Sequence, residues 1–189
     1  MCGIAGIIGA NIKEEIISKM LKSQDHRGPD NTGIFKDENV LLGHNRLSIL
    51  DLSENSNQPF LDNSNRFIIT FNGEIYNYIE LKEELKEYSF KTESDTEVLL
   101  ASYIKWGKQC LHKLNGMFSF AIWDKEKEQL FAARDRFGVK PFYYFVEDDI
   151  FYFSSEIKAL HAAGIKKTPN KNVWASYLTY GSYGKPAET

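Results

Sequence analysis

Four short apolar segments follow one another closely in the second half of the chain, and they restrict the fold more than any other feature. They span residues 117–123, 130–135, 142–146 and 150–154 and are separated by charged or polar turns. Strands with such short connections pair antiparallel. Several are apolar at successive positions, which indicates that both faces of their sheets are covered. We therefore expect an α+β fold with two stacked, mainly antiparallel sheets between layers of helices.

The preceding part of the chain supplies further strands and most of the helices. Strands are predicted at residues 3–9, 40–44 and 67–71. Helices are predicted after Asn11, after Asn77 and after Ser94, each with an acidic residue three positions later that suits a capping box. A shorter helix is predicted at 156–163. Residues 26–33 combine glycines and a proline with polar side chains and are predicted to form a loop, and residues 46–52 to continue as extended chain or an ordered loop.

Composition restricts the class of protein. With 189 residues, 42% of them hydrophobic, the chain can bury the core of one domain. A net charge of −3 without a basic stripe argues against nucleic-acid binding. Two cysteines do not make a disulfide framework, and no basic leader or long apolar run is present. We expect a cytoplasmic protein that neither binds nor crosses a membrane.

The first two residues place a thiol directly behind the initiator methionine. If Met1 is removed, Cys2 carries both a thiol, with an ordinary pKa of about 8.5, and an α-amine, with a pKa of about 7.7 to 8.0. Near neutral pH the amine can therefore accept the proton of the thiol. A single residue would then supply both nucleophile and base.

Six short blocks occur in the order seen in class II glutamine amidotransferases. They are residues 2–6 (CGIAG), 26–30 (HRGPD), 46–49 (RLSI), 72–77 (NGEIYN), 94–97 (SDTE) and 133–138 (ARDRFG). The chain most resembles the glutaminase domain of glutamine-hydrolysing asparagine synthetases, over nearly its whole length. This resemblance implies the four-layer αββα sandwich of N-terminal-nucleophile hydrolases, in agreement with the layers expected above.

The resemblance also implies a catalytic set. Cys2 matches the nucleophile that attacks the carboxamide of glutamine, releases ammonia and leaves a glutamyl thioester for water to hydrolyse. Asn72, through its side-chain amide, and Gly73, through its backbone N–H, match the oxyanion hole. Taken alone, an Asn-Gly pair after a strand is more typical of a hairpin turn.

Glutamine carries both an α-carboxylate and an α-ammonium, so a selective pocket needs groups of both signs. By resemblance, Arg46 binds the carboxylate through its planar fork. Asp95 binds the ammonium with help from Glu74, although an aspartate at a helix start also favours the helix dipole. The main chain of Leu47, Ser48 and Ile49 lines the same wall.

Other polar residues receive weaker assignments. His26, Arg27 and Asp30 match a family block, and we expect them to order their loop. Residues 134–136 are predicted to form a structural ion-pair cluster. The histidines lack metal-ligand spacing, so no metal site is expected and glutamine hydrolysis needs no cofactor.

The domain organisation expected is a glutamine amidotransferase domain over residues 2–165 and an extension or linker over 166–189. The partners expected are L-glutamine and, in the same full-length chain, a synthetase domain that uses ATP and Mg²⁺ to make asparagine from aspartate. A homodimer is left open. Two alternatives remain: a glutaminase domain of an amidotransferase in sugar or polysaccharide biosynthesis, and a catalytically silent docking module.

Overall fold

The computed structural model describes residues 1–181, in which nine strands and five α-helices are defined. The strands are β1 (Gly3–Ile8), β2 (Asn31–Asp37), β3 (Val40–Arg46), β4 (Phe60–Leu61), β5 (Phe67–Ile75), β6 (Gly116–Asp124), β7 (Gln129–Arg134), β8 (Tyr143–Glu147) and β9 (Ile150–Ser154). The helices are α1 (Glu14–Ser23), α2 (Tyr78–Glu84), α3 (Asp95–Trp106), α4 (Ile157–Ala162) and α5 (Lys171–Tyr180). Short 3-10 helices span Asp25–Arg27, Glu54–Ser56 and Gly107–His112.

The strands form two sheets in which every pairing is antiparallel. The first sheet has the order β2-β3-β1-β9-β8, and the second has the order β4-β5-β6-β7. In the first sheet β1, from one end of the chain, lies between β3 and β9, with Gly3 opposite Asn45 and Ala5 opposite Ser154. The residue that precedes β1 is therefore fixed at the end of a central strand.

Three clusters of buried apolar side chains separate four layers. One joins the first sheet to α1 and α4, and another joins the second sheet to α2 and α3. The third lies between the two sheets. Along β1 the side chains alternate, because Ala5 and Ile7 face the helices while Ile4 faces the second sheet. The predicted arrangement of two stacked sheets between helical layers is confirmed.

Two sequence predictions for the first forty residues were wrong. Strand β2 begins at Asn31, inside the segment predicted as a loop. Because β2 is an edge strand with alternating exposure, it lacks the apolar run that revealed the other strands. Helix α1 begins at Glu14 rather than after an Asn11 cap, since Asn11 adopts a left-handed conformation with φ of 58°.

Two predicted helix caps use their side chains differently from the expectation. Asn77 precedes α2, but its amide bonds the backbone of Lys113 and Asn115 rather than its own helix. Ser94 does cap α3, with its Oγ accepting the Thr96 N–H at 3.1 Å. The reciprocal half of that capping box is absent, because the carboxylate of Glu97 accepts the N–H groups of residues 91 and 92.

The C-terminal part of the chain forms α5, whose Val173 is buried. The domain boundary near residue 165 stays a prediction. Residues 182–189 of the predicted extension lie outside the described residues.

Candidate active site

A cavity of about 390 Å³ lies where the starts of β1 and α3 meet the end of β3 and the middle of β5. Every predicted site residue except Ser48 lines it. The lining residues that carry polar or ionisable side chains are Cys2, Arg46, Ser56, Gln58, Asn72, Glu74, Ser94, Asp95, Thr96 and Lys140. The backbone N–H of Ser48 instead donates to Asp30 Oδ2 at 2.7 Å, outside the cavity wall.

The Cys2 thiol is held by one backbone segment. Its Sγ accepts the Leu47 N–H at 3.4 Å and donates to the Leu47 carbonyl at 3.6 Å. Burial raises the pKa of the thiol above its ordinary value, against the opposing effects of the Leu47 N–H and nearby positive charges. A buried thiol of this kind needs a nearby base to become a nucleophile.

Arg27, at the end of the 3-10 helix Asp25–Arg27, holds the backbone of Cys2 in place. Its Nε donates to the Cys2 carbonyl at 2.9 Å, while Nη1 pairs with Glu156 at 3.2 Å. His26 also bonds Glu156, at 2.8 Å. The glycine of this block is required, because a Cβ on Gly28 would lie 2.3 Å from the carbonyl oxygen of Asn45. The 26–30 block therefore orders its loop, as predicted, and also holds the backbone of Cys2 and of Ser48.

Asn72 presents a hydrogen-bond donor to this site. The residue is 1% exposed, and its Nδ2 has no hydrogen-bond partner among the described residues. Leaving a buried donor unpaired costs about 1–3 kcal/mol, so its retention in a cavity wall points to a ligand acceptor. The next residue, Gly73, lies where β5 packs closely on β6. A side chain there would clash, because a Cβ would lie 2.5 Å from the Met117 carbonyl oxygen.

Asp95 and Glu74 place two carboxyl groups in one cavity. Burial raises the pKa of Asp95 from 3.8 to about 7; the Ile75 N–H, which donates to its Oδ2 at 2.9 Å, lowers it and the charge of Glu74 raises it further. Burial also raises the pKa of Glu74, with Lys140 opposing the change. An ammonium ligand between these groups would favour the ionised form of both.

Arg46 is 6% exposed and is held by the loop that follows it. Its Nη1 donates to the Ser53 carbonyl at 2.9 Å and to Asn57 Oδ1 at 2.8 Å, and Nη2 donates to the Asp51 carbonyl. Within residues 1–181 no carboxylate forms an ion pair with this guanidinium. The positive charge is therefore positioned in the cavity wall without being neutralised.

Lys140 is a cavity residue that the sequence analysis missed. It lies in the loop after β7, where the Asp135 carboxylate accepts the N–H groups of Phe118, Phe137, Val139 and Lys140. The predicted ion-pair cluster at 134–136 was wrong, since Arg134 donates to carbonyls of the same loop and Asp135 binds backbone donors. No spacing or composition signal identifies Lys140, because its approach to Cys2 depends on the whole path of this loop.

Between residues 1 and 181, no group of three or more histidine, cysteine or acidic side chains is placed to hold a metal ion. Over the same range, none of the helices has the length and apolar character needed to cross a membrane.

Comparison with known proteins defines the class. The chain matches the family described as "Glutamine amidotransferase domain" over residues 1–189 and belongs to that family. A solved glutamine phosphoribosylpyrophosphate amidotransferase from B. subtilis superimposes with a TM-score of 0.74 at 24% identity. The superposition covers 86% of this chain and 44% of the solved chain. This similarity supports the predicted N-terminal-nucleophile hydrolase fold.

The relatives most similar in sequence include asparagine synthetases. The chain is 44% identical to "Asparagine synthetase [glutamine-hydrolyzing] 1" of Bacillus subtilis, with 99% of this chain and 31% of the relative aligned. It is also 44% identical to "Putative asparagine synthetase [glutamine-hydrolyzing] 2" of Methanocaldococcus jannaschii, with 98% and 40% aligned. The chain thus spans less than half the length of these relatives.

Proposed function

We propose that this domain hydrolyses L-glutamine to glutamate and ammonia through a glutamyl thioester on Cys2. The observation that carries the proposal is the single cavity in which the Cys2 thiol, the unpaired Asn72 amide, Arg46 and two carboxyl groups meet. A thiol beside an unpaired donor suits acyl transfer. The charges of both signs suit an α-amino acid.

Substrate binding would use the charged side chains that share the cavity with the Cys2 thiol. The Arg46 guanidinium takes the α-carboxylate, while Asp95 and Glu74 take the α-ammonium. Arrival of the ammonium lowers the pKa of Asp95, so a carboxyl group that is half-protonated near pH 7 becomes ionised on binding. Leu47 and Ile49 form the adjoining wall. This division of charge selects a free amino acid over an amide within a peptide.

Catalysis would begin with proton transfer from the Cys2 thiol to the Cys2 α-amine. The thiolate adds to the amide carbon, and the resulting oxyanion accepts hydrogen bonds from Asn72 Nδ2 and the Gly73 N–H. As the tetrahedral intermediate collapses, the protonated Cys2 α-amine gives its proton to the amide nitrogen, the carbon–nitrogen bond breaks and ammonia leaves. Water, deprotonated by the same amine, then hydrolyses the thioester and frees glutamate.

Removal of Met1 is required by this scheme. With Met1 attached the Cys2 nitrogen is an amide, which cannot act as a base. We expect protein that retains Met1 to hydrolyse glutamine far more slowly than the processed form. Comparing both forms, with the termini verified by mass spectrometry, tests the α-amine; equal rates would refute its role.

The decisive test is a glutaminase assay of the processed protein and its Cys2→Ala variant. We expect the substitution to lower kcat by about 1,000-fold or more, since it removes the nucleophile. A glutamine analogue with a reactive γ-carbonyl group should add one covalent mass at Cys2. Labelling at Cys110, which is buried with its pKa raised to about 11, or activity unchanged by Cys2→Ala, would overturn the proposal.

The fate of the ammonia forms the second part of the proposal. The relatives are more than twice as long as this chain and are named for asparagine synthesis. We infer that a synthetase domain in the full-length protein uses ATP and Mg²⁺ to convert aspartate to asparagine with the released ammonia, in the cytoplasm. Glutamine-dependent formation of asparagine by the full-length protein tests this; formation of a different amidated product would redirect it. A homodimer stays a prediction.

A further inference from the structure

Lys140 is the one charged cavity residue that this scheme of hydrolysis leaves without a task. It is 4% exposed, and its Nζ lies 3.1 Å from Met1 Sδ. Within the described residues no carboxylate pairs with this ammonium. Burying an unpaired cation is costly, so its place in the cavity wall needs a reason.

The loop that carries Lys140 is built to hold it there. The Lys140 N–H donates to Asp135 Oδ2 at 2.9 Å, and its carbonyl accepts from Arg134 Nε at 2.6 Å. Both polar groups of the Lys140 backbone are therefore fixed. The side chain cannot leave the cavity by a simple shift of its own backbone.

Removal of Met1 changes what this ammonium faces. The Met1 sulfur is separated from the Cys2 nitrogen by five covalent bonds, so Lys140 Nζ lies within roughly 9 Å of that nitrogen. Processing takes away the sulfur that Nζ contacts and creates an α-amine at the Cys2 nitrogen, within that distance of Nζ. In the processed protein the Lys140 ammonium therefore faces the Cys2 residue that supplies both nucleophile and base.

We propose that Lys140 is a positioning residue whose ammonium favours the reactive, deprotonated forms of the Cys2 amine and thiol. A nearby cation disfavours protonation of an amine and favours a thiolate, so both effects act in the same direction. This inference rests on the proposed function, because it assigns Lys140 to the same Cys2 chemistry.

Other charged groups also surround Cys2 and set the background. They are Arg27 on the 3-10 helix Asp25–Arg27, Arg46 on β3, Glu74 on β5, Asp95 on α3 and Glu156 in the turn before α4. Arg27 is paired with Glu156, whereas Lys140 has no such partner. Burial and the charge of Arg27 lower the pKa of Lys140, while the negative charges of Cys2, Glu74 and Asp135 oppose that change. Replacing Lys140 with a neutral residue removes one cation. The pKa values of the Cys2 amine and thiol should therefore rise.

The test uses processed protein, with Lys140→Met as a neutral variant and Lys140→Arg as a variant that keeps the charge. Lys86→Met is the matched control, since Lys86 is exposed and pairs with Glu83. One measurement is the pH dependence of Cys2 alkylation by iodoacetamide, read by mass spectrometry. The other is the acidic limb of kcat/KM for glutamine.

We expect Lys140→Met to move both pH midpoints upward by roughly one pH unit, and to slow alkylation about tenfold at pH 7. Lys140→Arg and Lys86→Met should stay close to wild type. Lys140→Gln provides the same comparison if the methionine variant does not fold.

A purely structural role predicts a different result. In that case both neutral variants lose activity equally at every pH, Lys140→Arg does not restore it, and the midpoints do not move; this overturns the inference. Alkylation midpoints that shift in a protein without any glutaminase activity would leave the Lys140 effect standing and reject the proposed function. Normal glutaminase activity without any shift would reject the Lys140 role alone.

Discussion

Asp95 and Asp135 are two aspartates with nearly equal exposure, 5% and 7%, whose surroundings push ionisation in opposite directions. Asp135 lies in a surface loop and accepts four backbone N–H groups, which lower the pKa of its carboxyl group despite burial. Asp95 lines the cavity together with Glu74, and burial raises its pKa to about 7. Equal cover from solvent therefore does not mean equal roles.

We interpret this difference as that between a structural carboxylate, Asp135, and the ligand-binding carboxylate that the proposed function assigns to Asp95. Asp135 has its charge already satisfied by the protein, so it holds a loop in place. Burial disfavours the ionised form of Asp95, and under the proposed function the α-ammonium of bound glutamine would offset that effect.

The largest expected effect is on stability as a function of pH. The folded-state pKa of Asp95 is raised, so its protonated form stabilises the fold at low pH and that stability is lost as pH rises from 3.8 toward 7. Asp95→Asn should remove this loss, gaining up to about 4 kcal/mol over wild type at pH 7.5 and little at pH 4. Urea unfolding without glutamine at both pH values measures the difference. A gain that does not change with pH would contradict the assignment.

A second expectation concerns binding. At pH 8 the same Asp95→Asn change should raise KM for glutamine about 100-fold, because it removes the charged partner of the α-ammonium. Stability is maintained, so the loss should appear in KM rather than in folded fraction. Steady-state kinetics with a circular dichroism control checks both. An unchanged KM would show that Asp95 acts only at the start of α3.

The reverse pattern is expected for Asp135→Asn. An asparagine side chain cannot accept all four N–H groups as well as a carboxylate, so we expect a loss of about 2 kcal/mol in the free energy of unfolding near pH 7. The folded-state pKa of Asp135 is lowered, so its contribution is present above its ordinary pKa and is lost as pH falls. The penalty should therefore shrink in acid, as measured by urea titration at pH 7 and pH 3. A large rise in KM without loss of stability would show that Asp135 acts in ligand binding rather than in holding its loop.

The smallest effect tests the helix cap next to Asp95. Ser94→Ala removes the Oγ that accepts the Thr96 N–H and should cost about 1 kcal/mol of stability. KM should change less than threefold, because the Asp95 carboxyl group keeps its bond from the Ile75 N–H. Kinetics and thermal unfolding of this variant separate the cap from the ligand site. A rise in KM as large as that of Asp95→Asn would show that the Ser94 cap and the Asp95 ligand site cannot be separated.

Local patterns accounted for the sandwich and for most of the site. Alternating and continuous apolar runs identified the central strands, and eight of the nine predicted site residues line one cavity. Edge strand β2 escaped detection because a strand exposed on one side and short of apolar residues carries little periodic signal. The start of α1 was misplaced because the left-handed turn at Asn11 is not encoded by a capping pattern.

The sequence was sufficient to place Cys2 at the start of an apolar strand and to supply residues of both charges in recognisable blocks. Only the tertiary structure brought Lys140 into the cavity and gave Asp95 and Asp135 their different surroundings. The physical reason is that patterns of residue type report local conformation and burial, whereas ionisation depends on depth, on donors from distant segments and on neighbouring charges. Those quantities exist only after the two sheets have packed and the loops have closed around the cavity.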